Sequence, residues 1–413
     1  MTPFVEPLRS AVGAALGAWL GEELRWRPGM ESITVEMGVS PTVRVRLDAG
    51  PRVPGAIVRD HLRLAVDPPG ADTLRDPRYR ARLGALVTRF ERGDPAPTVA
   101  ALAAWRPYAQ VEDQHYRRLA RSTQGLTGML RLGFRCNQGC GFCWQGRSWP
   151  APPEALYWTW IDEMAAGGAT RLTLSGGEPT LYARLPELIA HARTRGLLTH
   201  LQTNAIKLRR PEYLKGLVDA GLDGVLVSFH AADGALSDTM TRAPGTWRHT
   251  LAGIHTALAA GVAVALNCVV DAQNVAHLPD HAAFIYATFV APYPENPVRV
   301  VNYSHPSPYW DGALWADTLA SFAVTRGPLG VAVQILEAGG VTVHAAGTCG
   351  FPLCVLPEGS RAAAGLDPET ADSIDASART YAPVCADCSA RGRCPGVRPE
   401  VLAKFGEAGL EGP

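Results

Sequence analysis

Lysine is nearly missing from this chain: Lys207, Lys215 and Lys404 are the only ones among 39 basic residues. The excess of arginine reads as the coding bias of a GC-rich genome and carries no function. No dense block of one charge occurs, and 39 acidic residues balance the 39 basic ones. Charge alone therefore recruits neither nucleic acid nor an anionic membrane. Long apolar runs are also lacking. The longest uncharged stretch near the start, Ser10 to Gly21, is too short to cross a bilayer. Val5, Leu8, Val12, Leu16, Trp19 and Leu24 recur at helical spacing with Glu22 and Glu23 beside them, which predicts an amphipathic helix and not a signal peptide. A dispersed disulfide framework is absent too. The nine cysteines stand at 136, 140, 143, 268, 349, 354, 385, 388 and 394. Close spacing of that kind points to metal, and thiols kept available for it point to the reducing cytoplasm.

What is present divides into three segments, as 413 residues exceed the usual size of one core. Residues 1–124 read as an α+β segment, with strand-like alternation at 33–37 and 42–47 and a helix at 79–92. It holds no catalytic motif and is a candidate for substrate recognition. Residues 125–325 alternate β-type runs (129–134, 171–175, 198–203, 224–228, 262–270, 298–303) with helical patterns (154–166, 185–195, 211–220, 247–260, 279–288, 309–325). Repeated βα units of this kind predict an α/β fold, a partial (β/α)6 barrel on a parallel sheet. Residues 326–413 read as short strands at 331–336 and 341–344 followed by five cysteines, a small metal-dependent module.

The run Arg135-Cys136-Asn137-Gln138-Gly139-Cys140-Gly141-Phe142-Cys143-Trp144 puts three thiols in one tight loop at CxxxCxxC spacing. A [4Fe–4S] cluster normally takes four cysteines. The next cysteine is far downstream at Cys268, inside an apolar strand where a thiol packs as a small hydrophobe. Three thiolates leave one iron open, the condition for binding a substrate at a metal. Zinc is the competing occupant, but its sites use paired spacings and four ligands.

CxxxCxΦC, with Phe142 before the last cysteine, resembles the signature loop of the radical S-adenosylmethionine (radical SAM) superfamily. The resemblance implies a [4Fe–4S] cluster on Cys136, Cys140 and Cys143 whose open iron chelates S-adenosylmethionine. It implies reductive cleavage to a 5′-deoxyadenosyl radical that takes hydrogen from substrate, with chemistry supplied by the cofactor and positioning by the protein. It also implies an electron donor such as flavodoxin or ferredoxin. In that family a turn like Ser175-Gly176-Gly177-Glu178 binds the cofactor's amino group; paired glycines let backbone approach closely. Ser228 and Arg242 resemble its ligands for ribose or carboxylate, the guanidinium gripping with two bonds.

Further polar groups recur at strand ends, where barrels build active sites. Thr203, Asn204 and Asn267 are candidates for cofactor binding or for plain structure. His230 is a candidate acid or base facing substrate, or a satisfied histidine at the rim. Tyr303 and His305 begin a stretch to Asp311 that mixes aromatics with polar tips, as a substrate pocket does.

Cys385, Cys388 and Cys394 give CxxCxxxxxC, with Cys349 and Cys354 upstream. This resembles part of a SPASM/twitch extension, although Arg398 stands where the full pattern has another cysteine. One auxiliary [4Fe–4S] cluster is expected, on Cys385, Cys388, Cys394 and either Cys349 or Cys354. A structural zinc ribbon is the alternative, and either metal would help fold a module with little core. The leading expectation is an enzyme that modifies a ribosomally made peptide or protein. A small-metabolite enzyme and an iron–sulfur carrier are the others.

Overall fold

The β-type runs of the central segment join one sheet whose strands follow chain order. The computed structural model describes residues 32–37, 43–48, 63–66, 117–122, 125–143, 154–306, 318–346, 349–360 and 379–411. It divides into two compact units: Met1–Arg118 with Ser148–Glu154, and Leu119–Arg147 with Ala155–Pro413.

In the first unit the described backbone is a three-stranded sheet in which β1 (Ser32–Met37) pairs antiparallel with β2 (Val43–Asp48), and β2 with β3 (Arg63–Val66). The helices expected near the start and at 79–92 lie outside the described residues.

The second sheet has eight strands in the order β4 (Arg117–Ser122), β5 (Gly125–Arg131), β6 (Arg171–Ser175), β7 (Leu198–Thr203), β8 (Leu222–Ser228), β9 (Ala263–Val269), β10 (Val300–Ser304) and β11 (Thr342–His344). From β5 to β11 every pairing is parallel, giving a half-barrel of seven parallel strands. Its strands place apolar residues at the buried positions, as Leu172 and Leu174 do in β6. Helix α1 (Ala155–Ala166) buries Tyr157, Trp160, Ile161 and Met164, the i, i+3, i+4, i+7 stripe that 3.6 residues per turn brings to one face. Full burial of such side chains contributes about 2–3 kcal/mol each. Helices α2 (Leu185–Thr194) and α3 (Pro211–Asp219) open with proline at the first turn, where its missing N–H has no partner to lose.

Two expectations need correcting. The barrel has seven parallel strands, not six, because Thr342–His344 pairs with β10 and not within a separate module. The expected strand at 331–336 is part of a helix, Phe322–Ala338, which also replaces the expected helix end at 325. Val331, Val333 and Ile335 imitate a period of two. The buried set is Leu329, Ala332, Val333 and Leu336, with Val331 45% exposed, which is helical spacing. The helix starts at Ser321, whose hydroxyl accepts from Val324 N–H. It runs through the expected boundary at 325/326, and the second unit does not break there.

Candidate active site

Register brings the candidate residues together. Ser228 pairs with Asn267, Asn267 with Asn302, and Asn302 with His344, a row of polar side chains at one level across four adjacent strands. All four line one cavity of about 430 Å³ at the carboxyl ends of the strands, within the size range of small-molecule sites. Ser304 Oγ donates to Asn267 Oδ1 at 2.9 Å, and Ser175 Oγ to Gln202 Oε1 at 2.9 Å, so both amides present their N–H groups elsewhere. Asn302 and Gln202 are among the polar residues that the sequence puts at strand ends, without an assigned role, and His344 was not singled out. The signal for the first two was their place at a strand end; His344 lay on a strand assigned to another module.

The cavity's opposite wall is the cysteine loop. Cys136, Cys140 and Cys143 all line it, together with Phe142 and the Ser175–Glu178 turn. Gln138 N–H donates to Cys136 Sγ at 3.4 Å, a contact that favours thiolate. The loop is pinned from outside: Gly139 and Gly141 N–H donate to the carbonyls of Thr241 and Met240, and Asn204 Nδ2 donates to Asn137 Oδ1 at 2.7 Å. Backbone bonds Leu132 N–H to Ser175 O, Gly177 N–H to Gly133 O and Glu178 N–H to Arg135 O stitch the turn to the chain entering the loop. The two glycines serve this approach. A Cβ at Gly176, where φ is 137°, would meet Gly133 O at 2.5 Å, and one at Gly177 would meet Arg135 O at 2.3 Å.

Glu178 is a buckle. Its carboxylate accepts Thr180 N–H, Thr180 Oγ1, Thr203 Oγ1 and Asn204 N–H at 2.6–3.0 Å. Burial raises its pKa while these four donors oppose the rise. With the carboxylate so occupied, the turn offers a ligand its backbone. Thr203 also accepts Ala205 N–H, and Asn204 Oδ1 accepts Ile206 N–H, so both line the cavity while holding the end of β7. Glu178→Gln replaces an acceptor-only group with one that cannot satisfy all four donors. It is expected to cost about 3 kcal/mol, seen as a Tm lower by about 5 °C in thermal unfolding. An unchanged Tm would show that the buckle contributes nothing.

The three residues expected to be catalytic are all held neutral. His230 Nδ1 accepts Val269 N–H at 3.1 Å, its ring edge meets Phe142 at 4.6 Å, and burial, with His281 nearby, depresses its pKa to about 3. Asn274 Nδ2 donates to its carbonyl at 2.9 Å. Tyr303 lines the cavity, but its hydroxyl donates to His281 Nδ1 at 3.3 Å, since His281 Nε2 donates to Phe229 O at 3.0 Å. Burial raises Tyr303 well above the usual phenol range. His305 donates from Nδ1 to Pro306 O and packs between Phe322 and Phe351; burial and the charge of Arg398 lower it to about 3. Cys268 is fully buried, its thiol raised by burial, as expected of a packed thiol.

His230 and His281, the latter lowered by burial to about 4, make stability pH-dependent. Both folded pKa values lie below the ordinary 6.5, so the folded chain keeps the rings neutral while the unfolded chain takes up protons. Their contribution is intact above pH 6.5 and is lost as pH falls toward 4. Each removes up to about 1.4 kcal/mol per pH unit in that window. Thermal unfolding between pH 7.5 and 5.5 is expected to give a falling Tm, with a shallower slope in His281→Gln. Equal slopes would refute the assignment.

Arg242 stands apart from the other expected cofactor ligands. It caps helix α4 (Gly234–Thr241) with left-handed φ of 51°, and its guanidinium lies over Gly141 on the cysteine loop, not among the cavity residues. Of the carboxyl-terminal thiols, Cys349 lines the cavity and the other four do not. Trp144 and residues 307–317 lie outside the described residues.

A half-barrel whose strand ends face a three-thiol loop defines the class. Residues 130–285 match the model of the radical SAM superfamily. Members of this family use a [4Fe–4S] cluster and S-adenosylmethionine. PqqA peptide cyclase of Bradyrhizobium diazoefficiens is 32% identical over 159 residues, 38% of this chain and 42% of that protein. Fe-coproporphyrin III synthase of Methanosarcina barkeri is 36% identical over 121 residues, 29% of each chain. The chain thus spans less than half the length of these relatives. Among solved structures, Streptococcus suis SuiB aligns over 73% of this chain and 67% of its own at 13% identity and TM-score 0.44. The structure of anSMEcpe with bound AdoMet and Kp18Cys peptide aligns over 69% and 91% at 12% identity and TM-score 0.49. No helix among the described residues is long and apolar enough to cross a membrane.

Proposed function

We propose that this protein cleaves S-adenosylmethionine reductively and uses the resulting radical on a ribosomally made peptide or protein. The observation that carries the reading is that three thiols at CxxxCxxC spacing share one cavity with the Ser175–Glu178 turn and with Ser228 and Asn267. The donor set fits the group: three sulfurs in one loop, with an amide N–H on Cys136, while Cys349, which also lines the cavity, belongs to the carboxyl-terminal segment. When bound, the cluster and S-adenosylmethionine supply a carbon-centred radical able to take hydrogen from an unactivated position. Cys136, Cys140 and Cys143 would hold the cluster. The Gly176 and Gly177 carbonyls, which accept no backbone bond among the described residues, would take the cofactor's ammonium, and Ser228 and Asn267 its ribose or carboxylate. Phe142 packs on His230 and keeps the loop in place.

Peptide is favoured over an anionic metabolite by the cavity's chemistry. Among the described residues lining it there is no Lys or Arg, whereas Gln202, Asn302, Ser304 and His344 offer neutral hydrogen bonding suited to amides. A polyanion would be desolvated there without a countercharge. Similarity to PqqA peptide cyclase supports the same choice. The electron is expected from a flavodoxin or ferredoxin. The test is anaerobic incubation of the reconstituted protein with dithionite, S-adenosylmethionine and, as candidate substrates, any small peptides encoded beside its gene. Formation of 5′-deoxyadenosine with a mass change of the peptide supports the reading. Deoxyadenosine with an unmodified peptide and a converted metabolite would replace it with the small-molecule reading.

A further inference from the structure

The sequence pattern leaves the fourth ligand of the carboxyl-terminal site open between Cys349 and Cys354, and the fold separates these two thiols. Between them lies Phe351, fully buried, with its N–H on Ala345 O at 2.7 Å and its ring against His305 and Phe322. Of the two thiols that flank it, Cys349 lines the central cavity and Cys354 does not. On one side, Cys349 O accepts His305 N–H at 2.6 Å, tying Cys349 to the end of β10, and the exposed Cys349 lines the central cavity. On the other, Leu353 N–H donates to Cys394 Sγ at 3.5 Å, laying the Leu353–Val355 turn on Cys394.

Cys394 Sγ also accepts Gly396 N–H at 3.5 Å, and Cys388 N–H closes a turn on Cys385 O. Arg391 N–H then closes on Cys388 O and Cys394 N–H on Arg391 O, so consecutive turns carry the chain from Cys385 to Cys394. Among the described residues no three Cys, His, Asp or Glu side chains close on a single-ion position.

We infer that Cys354, Cys385, Cys388 and Cys394 form the complete four-thiolate set of an auxiliary iron–sulfur cluster, and that Cys349 is excluded from it and faces the substrate cavity. This rests on the iron–sulfur reading of the protein but not on its cleavage of S-adenosylmethionine. Full ligation means that this cluster has no open iron; it can pass electrons but binds no substrate. Cys349 instead places a thiol on the cavity wall shared with the cysteine loop.

The experiment uses the full chain carrying Cys136→Ala, Cys140→Ala and Cys143→Ala, so that only the second site loads. Anaerobic reconstitution is expected to give ~4 iron and ~4 sulfide per chain, with the spectrum of a reduced cubane by electron paramagnetic resonance. Adding Cys349→Ala leaves iron content and spectrum unchanged. Adding Cys354→Ala lowers iron or converts the signal to that of a three-iron cluster; Cys354→Ser guards against simple misfolding, since an oxygen ligand keeps iron but shifts the spectrum. In loaded wild-type protein, iodoacetamide is expected to alkylate Cys349 while the other eight cysteines resist, read by peptide mass. Loss of iron on Cys349→Ala, alkylation of Cys354 in loaded protein, or one zinc without sulfide would each overturn the inference.

Discussion

Replacing Cys136, Cys140 and Cys143 together by Ala is expected to remove ~4 iron per chain and to drop 5′-deoxyadenosine formation by more than about 100-fold, to background. The three thiols share one loop and one cavity, and the triple substitution strips that loop of all its sulfur. The next cysteine in sequence, Cys268, is fully buried in β9 with its sulfur on the His230 carbonyl and the Asn274 amide. The double variant Cys385→Ala and Cys388→Ala is expected to keep the first cluster's iron, because those residues do not line the cavity. Cleavage surviving in the triple variant, or zinc in place of iron at that loop, would end the radical SAM assignment for this chain.

Gly177→Ala is expected to have the second largest effect, although it adds one carbon. That carbon would lie 2.3 Å from Arg135 O and 2.5 Å from Phe134 O, both backbone atoms of the segment leading from β5 into Cys136. Backbone cannot swing aside as a flexible side chain does, so the turn or the cysteine loop must move. Overpacking of this kind costs about 1–3 kcal/mol, and a shift near 1 Å at a reacting centre costs about 100-fold in rate. Deoxyadenosine formation is expected to fall by that factor while the iron content stays near the wild-type value. Gly216→Ala is the control: it sits in helix α3 with nothing within 4 Å of the added carbon. There the substitution is expected to be neutral or to stabilise by up to about 1 kcal/mol. Equal activity of both variants would show that the close approach at Gly177 has no bearing on catalysis.

The central strands were legible because short β-branched and apolar runs such as Val225–Val227 recur between helical patterns and turn signals. The chemistry of the thiol loop was legible because its ligands lie within eight residues of one another, so local spacing alone states what they can hold. Harder to read was Phe322–Ala338, where β-branched residues at alternate positions gave the signal of a strand. The helix won because Leu329, Ala332, Val333 and Leu336 bury a continuous stripe, a tertiary preference that outweighs intrinsic propensity.

The roles of the polar residues were not legible at all from their identities. Glu178 carries the look of a cofactor ligand, yet its oxygens are taken by Thr180, Thr203 and Asn204. His230 and His305 look like acids or bases, yet burial strips both of that capacity near neutral pH. Arg242 matches a cofactor ligand by similarity and lies behind the cysteine loop. Alone, the chain's order of residues pointed to the class of protein and to the loop proposed for its first metal site, because both are written in residues a few positions apart. Only the tertiary structure decided the seventh strand, the cavity row from Ser228 to His344 and the parting of Cys349 from Cys354. Those depend on strand register and on Phe351 filling the core, and such long-range packing leaves no periodic trace in the chain.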